Sequence, residues 1–159
     1  MKKALSLTRN SLQVLFMILA AAFILLYCLG FRFYVVTTGS MEPAIPVGSI
    51  CLVDRNTPFD AIAQGDIISF SIGENMLVTH RAVRIDAEGI TTKGDANNAE
   101  DAAKVTQENY AGKTLWSVPK LGYAVTFLKS KPGIAIVAAV FLLLTLPSLL
   151  SAKEKHLPE

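Results

Sequence analysis

A charge-free apolar run, SLQVLFMILAAAFILLYCL at residues 11–29, restricts what this chain can fold into more than any other feature. At 1.5 Å per residue a helix over that run is about 28 Å long, close to the roughly 30 Å hydrocarbon thickness of a bilayer. A second run, GIAIVAAVFLLLTLPSLL at 133–150, is also free of charge. It reads as a second transmembrane helix, with Pro147 near its end, where a lost backbone bond costs less. The two runs explain why this 159-residue chain is 52% hydrophobic with a mean hydropathy of +0.43, when soluble domains run at about 45–50% apolar.

Lys2, Lys3 and Arg9 precede the first run. The positive-inside bias then puts the N-terminus in the cytoplasm. A cleaved secretory signal would share that basic start, but its apolar core is usually about 7–15 residues. Here the run is longer, and Tyr27 to Tyr34 offers no small-x-small cleavage site, nor a small residue before Cys28 for a lipoprotein site. The reading is therefore an uncleaved anchor. The expected layout is a cytoplasmic N-terminus (1–10), a first span (11–30), an extracytoplasmic domain (31–131), a second span (132–150) and a cytoplasmic tail (151–159). Lys153 and Lys155 agree with that orientation, while Lys129 and Lys131 on the outer side oppose it. This makes a multi-pass cell-membrane protein with the lipid bilayer as a partner and both termini cytoplasmic. A net charge of +2 without a basic, aromatic-interleaved cluster gives no reason to expect nucleic acid. Of the two cysteines, Cys28 falls in the first span and Cys51 in the outer domain, so no disulfide is expected and Cys51 reads as a buried apolar residue.

The outer domain is long enough for one core. Its pattern is short β-type runs between turn signals: 33–38, 47–53, 66–72, 76–85, 89–93 and 115–118. In DIISFSI, Ile68, Phe70 and Ile72 share a face; in MLVTHRAVRI, Met76, Val78, His80 and Ala82 share one. Turns are expected at Arg55–Pro58, Gly73–Asn75 and Asp86–Gly89. The fold class is mainly β, a small antiparallel β domain flanked by two transmembrane α-helices, with little helix outside the membrane. The polar, acidic stretch GDANNAEDAA at 94–103 breaks the strand pattern and reads as a loop.

Chemistry enters with three residue types on one side of the membrane. VVTTGSMEPAIPVG places Ser40 in a Gly- and Pro-punctuated turn, where serine is also an ordinary turn residue. His80 is the single histidine of the outer domain; His156 lies in the tail. A nucleophilic serine needs a base within hydrogen-bond reach, and a histidine base needs a third group to fix its tautomer and stabilise the imidazolium. Ser40, His80 and either Asp95 or Asp101 supply those roles. One histidine and no Cys/His cluster give no metal site, no nucleotide fingerprint is present, and no cofactor is expected.

Four stretches, S-M-E-P at 40–43, Q-G-D-I-I at 64–68, T-H-R at 79–81 and K-G-D-A-N-N-A-E-D at 93–101, resemble the signature boxes of type I signal peptidases in order and separation. The histidine in the third box resembles the branch of the endoplasmic reticulum, archaea and some Gram-positive bacteria. The wording of the fourth is most similar to SipW-like bacterial members. The resemblance covers roughly residues 10–125. It implies a membrane serine endopeptidase that removes signal peptides from secreted preproteins on the outer face of the membrane, with the export machinery as a further associate. It implies Ser40 as nucleophile, His80 as general base, Asp101 as the acid orienting the histidine and Asp95 as a supporting acid. The Ser40 backbone N–H and Thr38 would form the oxyanion hole. Substrates would carry small residues at the first and third positions before the cut, in shallow apolar pockets for which Met41 and Ile45 are the candidate lining. Ala96, where many reticulum members have asparagine, and the C-terminal span depart from the pattern. Two readings of other classes stand beside this one. A non-catalytic membrane adaptor that binds secreted chains would give Ser40 no chemical role, and a membrane serine protease with other substrates would cut soluble protein.

Overall fold

The structure, a computed structural model, describes residues 2–73 and 76–154. The expected hairpin tip at Glu74 and Asn75, and most of the tail with His156, lie outside them. Helix α1, Lys2–Cys28, has its charges, Lys2, Lys3 and Arg9, in its first part and is free of charge from Asn10 onward. Phe16, Met17, Ile18 and Leu19, consecutive residues pointing in all directions, are each at least 60% exposed. A helical stretch that is apolar and exposed on all sides is one suited to lipid. Its Asn10–Cys28 stretch is long and apolar enough to cross a bilayer, at a mean hydropathy of 2.3.

The chain ends in two helices, α2 (Leu121–Lys129) and α3 (Lys131–Glu154). Among the described residues these pass the same test only as a pair, Leu121–Lys129 with Lys131–Leu143, bent by 83°. The apolar run expected to span at 132–150 is thus helical, but its neighbour α2 was not anticipated. Leu121, Ala124, Val125 and Leu128 recur at helical spacing, a pattern hidden by its continuity with the apolar run that follows.

Between α1 and α2 lie six strands: β1 Phe31–Val35, β2 Ile50–Asp54, β3 Ile67–Ile72, β4 Met76–Asp86, β5 Gly89–Lys93 and β6 Tyr110–Val118, with one 3₁₀ turn at Phe59–Ala61. They form one antiparallel sheet in the order β1-β2-β6-β3-β4-β5. Each expected run contributes a strand, but three are displaced. The first ends at Val35 and not Thr38, and the second begins at Ile50 because Gly48, at φ 78°, turns the chain before it. The last begins at Tyr110, five residues early. Gly112 (φ 146°) and two register shifts, opposite Leu52/Val53 and Ser69/Phe70, interrupt its alternation. A β-bulge adds a residue to one strand, so a period-2 pattern loses phase there.

Residues Ala22–Tyr123 form one compact unit, and the remaining helical residues a second. Neighbouring residues Ile67 and Ile68 on β3 serve different clusters, as strand alternation demands. Ile68 joins Ile62, Phe70, Ala82, Ile90 and Val105, and Ile67 packs against Met41, Ile45, Cys51 and Val53. Ile68 and Phe70 are essentially fully buried, each contributing about 1.5–3 kcal/mol from burial. Ile72, expected on their face, is exposed at the end of β3, where it pairs with Met76 beside the connection to β4.

Candidate active site

The turn holding Ser40 is tied down on both sides. The Val36 N–H donates to Ser49 O and the Gly48 N–H to Val36 O, both at 2.9 Å, so the chain leaves β1 and re-enters β2 at a fixed place. Inside that loop the Glu42 N–H donates to Gly39 O (3.0 Å) and the Ile45 N–H to Met41 O (2.8 Å). Met41 and Ile45, one helical turn apart, are each only 2% exposed and pack on Cys51 and Val53. The serine stands on a segment anchored by two buried side chains.

His80 lies on β4 directly opposite Ile68 and is 7% exposed. The Phe70 ring meets its imidazole edge-on, with centroids 6.2 Å apart and planes at 68°. Burial of Ile68 and Phe70 therefore fixes the strand that presents the histidine and the plane of its ring.

Asp101 closes a loop that starts at the end of β5. Its N–H donates to Thr92 O at 2.8 Å, and the Thr92 hydroxyl donates to its Oδ2 at 2.6 Å. The same loop touches the serine turn: the Ala96 N–H donates to Ser40 O at 2.9 Å. Gly94 permits that approach, since a Cβ there would lie 2.6 Å from Ser40 O. No side chain larger than hydrogen fits.

These three elements bring Ser40, His80 and Asp101 together. His80 Nε2 is 3.0 Å from Ser40 Oγ, and His80 Nδ1 is 2.7 Å from Asp101 Oδ2. A carboxylate only accepts, so the Nδ1 proton points at Asp101 and the Nε2 lone pair at the serine hydroxyl. That is the arrangement a base needs to take a proton from Oγ.

Asp95 goes elsewhere. Its two oxygens accept from Arg81 Nε (2.8 Å) and Nη2 (2.6 Å), and Arg81 Nη1 donates to Gly65 O at 2.8 Å. The hydrogen bonds to Asp95 push the guanidinium pKa above its already high value. All four quoted stretches meet here, because Gly65 of the second anchors the arginine of the third, which clamps the loop of the fourth against the turn of the first.

Thr38 is exposed and borders, with Ser40 and His80, a cavity of about 490 Å³. Its lining includes Tyr34 to Thr38, Met76 to Thr79, Met41, Ile45 and Asn97. Tyr34 and Val35 lie on β1 and Met76 to Thr79 on β4, at strand edges left unpaired among the described residues. β1 pairs only with β2, and β5 pairs with β4 only from Arg81 onward. Sequence reasoning did not single out Arg81, Thr92 or Asn97. Arg81 adjoins His80 in T-H-R and was the most accessible of the three; nothing local marks Thr92.

Residues 8–114 match the family described as "Signal peptidase, peptidase S26". The chain is 42% identical over 84 residues to "Signal peptidase I W" of Bacillus subtilis (strain 168), covering 50% of this chain and 44% of that protein. It is 30% identical over 115 residues to "Signal peptidase complex catalytic subunit SEC11" of Metarhizium robertsii, covering 65% and 67%. It is 34% identical over 133 residues to the protein of the same description from Eremothecium gossypii, covering 75% and 77%. The chain thus spans less than half the length of the bacterial relative and two-thirds or more of the fungal ones.

Proposed function

The chain belongs to the signal peptidase family, peptidase S26, and on that premise we propose that it is a membrane-bound serine endopeptidase that removes N-terminal signal peptides from preproteins. The observation that carries this reading is the line of hydrogen bonds from Ser40 Oγ through His80 to Asp101. Ser40 Oγ attacks the scissile carbonyl while His80 Nε2 takes its proton, then returns it to the leaving amine. Asp101 holds the Nδ1–H tautomer and stabilises the imidazolium without becoming protonated. The Ser40 N–H and the Thr38 hydroxyl receive the oxyanion, and Asp95, through Arg81, holds the loop.

The cavity suits an extended substrate. A peptide lying between the β1 and β4 edges finds main-chain donors and acceptors on both sides, and pockets for alternate side chains give selectivity. Met41 and Ile45 are part of its lining, which favours small side chains at the positions that face them.

The apolar Asn10–Cys28 helix, with Lys2 and Lys3 at its start, supports an anchor whose N-terminus is cytoplasmic and whose sheet lies outside. A signal peptide is itself an apolar segment in the bilayer, so the anchor holds Ser40 close to where the scissile bond emerges. In the same reading α3 returns the chain across the membrane, and export machinery delivers the substrate.

Incubating the purified protein and its Ser40→Ala variant with a labelled preprotein in detergent, and sequencing the new N-terminus, tests this directly. Cleavage after the signal peptide by wild type alone supports the reading. Equal cleavage by Ser40→Ala, or cutting of soluble protein only, overturns it.

A further inference from the structure

Resting on that serine-peptidase reading, we infer that Thr92 is a positioning residue: acting through Asp101, it sets both the orientation and the basicity of His80. Asp101 sits in a loop with its side chain 21% exposed, so its carboxylate has water to turn towards. A freely rotating acid holds its histidine only part of the time. Thr92 removes that freedom twice over. Its carbonyl takes the Asp101 N–H (2.8 Å), fixing the main chain, and its hydroxyl donates to Oδ2 (2.6 Å), fixing the side chain.

The anchor is itself rigid. Thr92 is 0% exposed and pairs with Ala82, two residues from His80 on the neighbouring strand. The element that carries the base therefore positions the group that aims the acid. Threonine is stiff about χ1, so the hydroxyl is delivered with little rotamer freedom left to lose.

Both donors, His80 Nδ1–H and Thr92 Oγ1–H, converge on one oxygen, Oδ2. The threonine bond draws charge away from the oxygen that stabilises the imidazolium. Without it, more negative charge faces Nδ1–H and the protonated imidazole is favoured, while the carboxylate gains freedom to swing away. Two consequences follow from one deletion: a lower maximal rate and an acidic limb of the pH–rate profile displaced to higher pH. Among the described residues, the charged groups around this pair include Arg81 with Asp95, Lys93 next to Thr92 on β5, Arg84 with Glu100, and Lys104 and Glu108 around the second cavity that Asp101 borders. β3 brings Ile68 and Phe70, both uncharged, against the histidine. None of these is altered when Thr92 is replaced.

The test measures kcat, KM and the pH dependence of kcat/KM on a labelled preprotein in detergent for Thr92→Val and Thr92→Ser. Both are also built on Asp101→Asn. Losing a hydrogen bond to a charged group predicts a kcat roughly 10–100-fold lower for Thr92→Val, with KM within about twofold and the acidic limb raised by several tenths of a pH unit. Thr92→Ser restores the limb and most of kcat. On Asp101→Asn the valine change costs no more than about twofold further, because the interaction is already lost. Thr92→Ala carries the same expectations should valine prevent folding. Wild-type kcat and limb in Thr92→Val, a change in KM alone, or the same fold-loss on both backgrounds overturns the inference. If wild-type cleavage does not depend on Ser40, the underlying reading fails and the inference falls with it; Ser40-dependent cleavage indifferent to Thr92 defeats the inference alone.

Discussion

Replacing each acid of the 94–101 loop by asparagine separates two carboxylates that lie six positions apart and face different partners. Asp101 Oδ2 accepts from both His80 and Thr92, whereas Asp95 holds Arg81 in a two-bond fork. In Asp101→Asn an amide replaces the charge. If its oxygen takes the place of Oδ2, the imidazolium loses a counter-charge. If its NH2 does, it donates to Nδ1 and forces the ring proton onto Nε2, leaving no lone pair for Ser40. With about 4 Å between charge centres and an effective dielectric near 20, the lost attraction is about 4 kcal/mol, or roughly 10³-fold in rate. Screening reduces this little, since the His80 side chain is 9% exposed. Asp95→Asn instead weakens a pair whose arginine is 33% exposed, which we expect to cost about 1–2 kcal/mol of stability and no more than about tenfold in kcat. Preprotein cleavage rates and thermal melting of the two variants decide it. Equal rate losses, or a greater loss in Asp95→Asn, would refute the division of labour between the acids.

Ser40→Ala and His80→Ala should each abolish turnover in a chain that still folds, with His80→Ala melting below Ser40→Ala because it empties a buried site against Phe70 and leaves Asp101 without its partner; cleavage assays alongside circular dichroism check both. Gly94→Ala should lower activity by at least tenfold, because its Cβ would lie 2.6 Å from Ser40 O and push the loop off the serine turn; Gly94→Ala with unaltered kcat would count against that contact. Burial pushes the Cys51 thiol up to about 11 from 9.0, so in a Cys28→Ser background maleimide at pH 8 should label it only after denaturation. The same shift means that its contribution to stability is complete below pH 9 and declines as pH rises towards 11, where the unfolded chain ionises and the folded chain does not. Cys51→Ala should therefore show a flatter melting temperature between pH 9 and 11.

Local pattern carried a good deal of this molecule. A charge-free run of bilayer length dictates an all-round apolar helix whatever else surrounds it, and α1 follows. Strict alternation in DIISFSI and MLVTHRAVRI sets which residues share a face, and with it the placement of His80 beside Ile68 and Phe70. Such features depend on neighbours within one strand or helix turn, so the chain order contains them. The displaced ends of β1, β2 and β6 show where that logic stops: Gly48 and Gly112 adopt conformations that interrupt a period without announcing it, and opposing bulges are properties of strand pairs. The α2 helix was obscured because its apolar spacing merges into a longer apolar run.

The site belongs to the tertiary structure. Ser40 and His80 are separated by 40 positions and His80 and Asp101 by 21, and no local periodicity relates them. Residue types at 95 and 101 are identical; only the closure of the loop onto Thr92, and of Arg81 onto Gly65, sends one carboxylate to the histidine and the other to the arginine. Met41 and Ile45, read as pocket lining, border the cavity and are at the same time core residues. Hydrogen-bond partners at a few ångströms are chosen by the packing of a six-stranded sheet, and the sequence, which specifies that packing only as a whole, does not disclose them one residue at a time.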